Sequence, residues 1–120
     1  MFRQEQFLEY YVRHSTERKA KKYISGFCRG ISAEDFRYAA ENNIDIIKAF
    51  LRRLLLNPGE EKSTRKKAEP YRPLIEKLAT VETVTRLFSE VSPEHGKVLQ
   101  QHPSWIERQL RSSMAEVFPP

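Results

Sequence analysis

An all-α fold, a compact bundle of six to eight short helices, follows from three features of this 120-residue chain. Apolar residues recur at intervals of three and four from end to end, polar–apolar alternation never persists long enough for a strand, and helix start and stop signals bracket each apolar stripe. With 39% apolar and 31% charged residues, the composition suits one soluble helical domain over residues 1–120. A chain of this size buries roughly 65% of the surface it exposes when unfolded, so neither a metal nor a disulfide is needed to hold it.

The first helix is expected at about residues 3–13, where Phe7, Leu8 and Tyr11 share a side. A second follows from a Ser15 or Thr16 cap, with Ala20, Tyr23, Ile24 and Phe27 at i, i+3, i+4 and i+7, and Gly30 ends it. The best start signal comes next. Ser32 stands as N-cap, Glu34 and Asp35 face the positive end of the helix dipole, and Ile31 is placed to staple against Phe36. Phe36, Ala39 and Ala40 form the inner side of that helix, and Asn42-Asn43, tolerant of left-handed geometry, breaks it before Asp45 caps another. In that next helix Ile46, Ile47, Phe50, Leu51, Leu54 and Leu55 make a wide apolar stripe. Residues 32–56 are therefore expected as a central antiparallel helical hairpin.

Asn57-Pro58-Gly59 is a stop, and the polar, highly charged residues up to Glu69 predict a charged mobile loop at about 57–69 between two helical halves. Pro70 and Pro73 lead into a helix with Leu74, Ile75 and Leu78, which breaks near Thr80 before Val84, Leu87, Phe88 and Val91 resume the apolar face. Ser92-Pro93-Glu94 starts a short helix with Val98 and Leu99 inside. His102-Pro103-Ser104 starts the last, whose inner edge is Trp105, Ile106, Gln109, Leu110, Met114 and Val117. The expected core is Phe7, Tyr11, Tyr23, Ile24, Phe27, Phe36, Ala40, Ile47, Phe50, Leu51, Leu54, Leu78, Val84, Phe88 and Leu110.

Charge is unevenly distributed within a formal net charge of +5. Residues 1–31 hold seven basic and three acidic residues, and 52–77 hold eight and four, whereas the intervening and final segments are slightly acidic. Arg18, Lys19, Lys21 and Lys22 form one tight basic block and Arg65, Lys66 and Lys67 another, each able to meet phosphate, an anionic surface or an acidic protein.

Chemical centres are not expected. The lone Cys28 excludes an intramolecular disulfide and a Cys-based zinc cluster, and fits a reducing, cytoplasmic setting. His95 and His102 lack companions at metal spacing, the four glycines stand apart from any phosphate loop, and no carboxylate pair sits in an apolar context. No catalytic, cofactor or metal residues are assigned. The longest stretch without Asp, Glu, Lys or Arg, Val98 to Ile106, is far short of the roughly 20 residues a membrane span needs.

Three local patterns carry resemblances. Residues 35–51, with the Ala39-Ala40 doublet, an Asn turn and Ile46-Ile47-Lys48 followed by Leu51, resemble the helix pair of an ankyrin repeat, which implies one degenerate repeat and a protein-binding role. They depart from that family in a turn one residue shorter and in lacking its Thr-Pro-Leu-His segment, its hairpin and any second repeat; an ordinary helical hairpin accounts for the same residues. Phe7-Leu8, Tyr11, Thr16, Tyr23-Ile24 and Phe27 are similar to the helical core-binding domain of tyrosine recombinases, which implies DNA contact. Residues 36–54 can be laid on a helix-turn-helix, but Asp45, Lys48, Arg52 and Arg53 offer little amide chemistry for reading base edges. The sequence thus leads to a non-catalytic protein-interaction or regulatory module, whose partner could be a second copy of the chain. The alternative is a nucleic-acid-binding protein using its basic blocks on phosphate.

Overall fold

The computed structural model describes residues 4–56 and 72–119, with side chains described for 16–55 and 72–119. Among the described residues there are seven helices and no strand: α1 (Gln4–Gly30), α2 (Ala33–Glu41), α3 (Lys48–Leu56), α4 (Arg72–Leu78), α5 (Val81–Val91), α6 (Pro93–Gln101) and α7 (Pro103–Val117). The all-α bundle expected from the sequence is the fold observed. The expected loop at 57–69, with Arg65, Lys66 and Lys67, and the side chains of Phe7 and Tyr11 lie outside the described residues.

One boundary is corrected at the N-terminus: α1 runs unbroken through Ser15 and Thr16 as a single helix of 27 residues. Thr16 is 6% exposed and belongs to the inner face rather than to a cap. Neither Gly nor Pro occurs between Gln4 and Ser25, so nothing in the backbone forces a break there. The helix ends at Gly30, and α2 is capped as its sequence indicates, the Asp35 N–H donating to Ser32 Oγ at 3.1 Å.

The end of α2 is a Schellman turn. Asn43 sits at φ 53°, the Ile44 N–H reaches back to the Ala39 carbonyl at 2.8 Å, and the Asn43 N–H bonds the Ala40 carbonyl at 3.4 Å. A second correction follows: Asp45 does not cap the next helix, because α3 begins only at Lys48. The connector is held instead by α7. The Trp105 indole donates to the Ile44 carbonyl at 3.2 Å, Arg108 Nη2 donates to Asn43 Oδ1 at 2.8 Å, and Ser113 Oγ lies 3.2 Å from the Lys48 carbonyl. The Ile44 carbonyl, which a helix would offer to Lys48, is taken by a side chain. The two arms of residues 32–56 accordingly find their main neighbours in the C-terminal half, α2 against α6 and α3 against α7.

Rings fill the centre. Phe36 stacks on Phe88 with centroids 5.8 Å apart and meets Trp105 edge-on at 5.4 Å, while Phe27 stacks on Phe50 at 4.5 Å. Ile24, Ile47, Leu51, Val98, Leu99 and Ile106 close the cluster around them, and each is essentially buried. Of the expected core, Ile24, Phe36, Ala40, Ile47, Leu51, Val84, Phe88 and Leu110 are buried, whereas Tyr23, Phe27, Phe50, Leu54 and Leu78 are half-buried at its edge. Gly96 lets α6 approach α5 closely: a Cβ there would lie 2.6 Å from Ser89 Cα.

Candidate binding surface

Helix α1 buries Thr16, Ala20 and Ile24 on one side, and at 100° per residue its opposite side carries Arg18, Lys22 and Arg29 within a sector of about 40°. Lys19 flanks them. All four cations are exposed and make no ion pair among the described residues, and they span about 16 Å of helix. Glu17, the one acid of residues 16–30, is turned away and bonded to Arg86 of α5 at 2.5 Å. Lys21 departs from its sequence neighbours, bridging Glu90 of α5 at 3.0 Å. The first basic block is thus divided by the helix geometry: Arg18, Lys19 and Lys22 face outward, and Lys21 ties α1 to α5. Arg29, nearly two turns beyond the block, joins the outward face, and only its helical register identifies it.

The cationic face extends across to α3, where Arg53 places its guanidinium over the Tyr23 ring, 4.9 Å from the centroid. Its neighbour Arg52 is neutralised in a different way, lying 3.8 Å from Glu116 of α7, which also holds Lys48 at 2.8 Å. These bridges set the local ionisation. The hydrogen bond from Lys21 lowers the Glu90 carboxyl, and that from Lys48 lowers the Glu116 carboxyl and correspondingly raises the Lys48 ammonium.

Gly26 also lies on the exposed side of α1, between Lys22 and Gly30, and nothing comes within 4 Å of where its Cβ would be. Inside a helix Gly costs roughly 0.5–1 kcal/mol against Ala. Arg18 and Lys22, like charges four residues apart, cost a few tenths more. Among the described residues no ion pair offsets the charge repulsion and no contact fills the space at Gly26.

His95 and Cys28 are both drawn into the packing of the fold. His95 is 5% exposed and joins two junctions, its Nε2 lying 2.8 Å from the Ile31 carbonyl and its Nδ1 2.7 Å from Ser92 Oγ. A carbonyl only accepts, so Nε2 carries the proton, and in the neutral ring Nδ1 accepts from the Ser92 hydroxyl. That Ser–His pair escaped the sequence reading, in which Ser92 figured only as a helix start. Burial pushes the Cys28 thiol up to about 11, which favours its protonated form at neutral pH. No cluster of three or more His, Cys, Asp or Glu side chains forms among the described residues, and no helix there is long and apolar enough to cross a membrane. A cleft between α1, α3, α4, α5 and α7 is walled by aliphatic side chains such as Leu51, Leu55, Ile75 and Leu87, with Thr16 and Glu17 as its only polar residues among those described. It has little with which to orient a polar substrate.

No family model, curated protein or solved structure matches the chain.

Proposed function

We propose that the protein is a non-catalytic binding module that engages the phosphate backbone of nucleic acid through the outer face of α1. One observation carries this reading: Arg18, Lys19, Lys22 and Arg29 stand together, exposed and without an ion pair among the described residues, while the nearby acids Glu17 and Glu90 are engaged by Arg86 and Lys21. A face that weakens its own helix through like charges and an unpacked Gly26 follows a requirement other than stability, and such departures from local consistency mark functional surfaces. The 16 Å span equals the axial rise of about five phosphates of one duplex strand. Exposed Lys and Arg positions suit backbone contact, which sets affinity rather than sequence choice. The thiol chemistry of Cys28 fits a reducing, cytoplasmic setting.

Four engaged cations contribute a slope of roughly −3.6 in log affinity against log salt for duplex DNA. Replacing Arg18, Lys19, Lys22 and Arg29 by Gln should remove that contribution and weaken binding to unrelated sequences in parallel, as read by fluorescence anisotropy across a salt series. Lys21→Gln alone should change the slope by less than one, because its charge is already spent on Glu90. Affinity weaker than about 100 μM at about 50 mM salt, or an unchanged slope in the fourfold variant, refutes the proposal.

A protein partner on α2 and the turn after it is a second reading, favoured by Tyr38 at 62% and Ile44 at 39% exposure, the large hydrophobic side chains most open to solvent among the described residues. If that surface mediates self-association, light scattering should show a concentration-dependent mass that Tyr38→Ser reduces to the monomer. A monomer at every concentration removes self-association.

A further inference from the structure

Within the described cationic surface lies the ring of Tyr23, half-buried on α1 with Lys19 one turn before it and Gly26 nearly one turn after it, and with Arg53 of α3 seated over the ring. A guanidinium held against an aromatic face has lost part of its freedom before any ligand arrives, while its remaining N–H donors and its far face stay available on an exposed side chain. Duplex nucleic acid cannot use that far face, because its bases are stacked on one another. An unpaired base can lie on a guanidinium plane while its flanking phosphates meet Lys19 and Lys22. Gly26 leaves open space beside this position where any side chain would narrow the approach.

We infer that the α1–α3 surface selects single-stranded over duplex nucleic acid, with the Arg53–Tyr23 stack as its base platform and Lys19 and Lys22 as its phosphate contacts. This rests on the reading of α1 as a phosphate-binding face and adds the class of nucleic acid. Stacking of one base on such a platform is worth about 1–3 kcal/mol, which is roughly a fivefold or greater effect on affinity.

The experiment compares an oligothymidylate of about 20 nucleotides with a duplex of equal length, at one salt concentration, on the full chain. The single strand should bind at least about fivefold tighter. Arg53→Lys retains the charge but not the planar fork, so it should weaken the single strand by about that factor and leave the duplex and the salt slope unchanged. Tyr23→Leu should act in the same way, and Tyr23→Phe, which keeps the ring, should not; circular dichroism on each variant verifies the fold. Equal affinity for the two nucleic acids, with Arg53→Lys and Tyr23→Leu both silent and the fourfold Gln variant still losing its slope, overturns the single-strand inference and leaves phosphate binding standing. Binding to neither nucleic acid overturns both. Tighter binding to vesicles containing phosphatidylglycerol than to either nucleic acid also overturns both, in favour of a lipid surface.

Discussion

Between α5 and α6, at Gly96, there is no room for a methyl group: an added Cβ would lie 2.2 Å from Ser89 Oγ and 2.6 Å from Ser89 Cα. The hydroxyl could rotate away, but the backbone atom cannot move without shifting a helix whose other side packs Leu87 and Phe88 into the core. Gly96→Ala gains up to about 1 kcal/mol of helix propensity and incurs an overpacking cost of about 1–3 kcal/mol. The net expectation is a loss of about 1–2 kcal/mol, read as a lower urea midpoint with an unchanged m-value. A higher midpoint would mean that the seam is looser than drawn. The neighbouring residue shows a similar economy of space, since His95 fills the gap between two chain reversals with a ring that also contacts Phe36 at 5.4 Å. Neither role is visible in sequence, where Gly96 reads as a mild helix weakener and His95 as an isolated imidazole.

Among the helices, those bounded by local chemistry were readable in advance and those bounded by distant contacts were not. The Ser32 cap, the Thr80 cap with its bond from the Thr83 N–H, and the prolines at the starts of α6 and α7 all act within three residues, so the chain itself announces them. The start of α3 is different. Asp45 is a good N-cap residue, but Trp105 and Arg108, more than 60 residues away, bind the connector at Ile44 and Asn43, Ser113 binds the Lys48 carbonyl, and the helix begins only at Lys48. Likewise Thr16 resembles a cap locally and becomes part of a buried helix face once α1 docks on α5. The proposed binding face is half legible for the same reason. Arg18, Lys19 and Lys22 are visible as a run, whereas the diversion of Lys21 to Glu90 and the seating of Arg53 over Tyr23 depend on how α1, α3 and α5 pack.

Over the whole molecule, bridges from helix to helix make the fold sensitive to acid. The Glu90 and Glu116 carboxyls are held below their ordinary 4.5, by Lys21 first and by Lys48 first. A carboxyl whose folded value is depressed binds fewer protons than it does in the unfolded chain, so its contribution is complete above about 4.5 and is lost as pH falls through the folded value. The melting temperature should therefore fall on acidification below about pH 4.5, and the double variant Glu90→Gln, Glu116→Gln should flatten that fall while lowering stability at neutral pH. Both carboxylates are solvent-exposed, so added salt should shrink the difference between the variant and the parent. An identical acid profile for the two proteins would show that these bridges play no part in it.

The chain has a single tryptophan, and Trp105 is 2% exposed, edge-on to Phe36 and bonded through its indole N–H to the Ile44 carbonyl. It is therefore an optical probe already placed at the meeting point of α7, α2 and the connector. In the folded protein its emission is that of an indole shielded from water, and acrylamide or iodide in solution has little access to it. Nucleic acid on the outer face of α1, as proposed, would touch none of its surroundings, so the tryptophan emission, excited at the red edge where tyrosine is silent and corrected for absorption by the nucleic acid, should stay constant through a binding titration. Loss of the fold exposes the ring and moves the emission to longer wavelength. One unlabelled sample can thus separate a variant that has lost its ligand from one that has lost its structure.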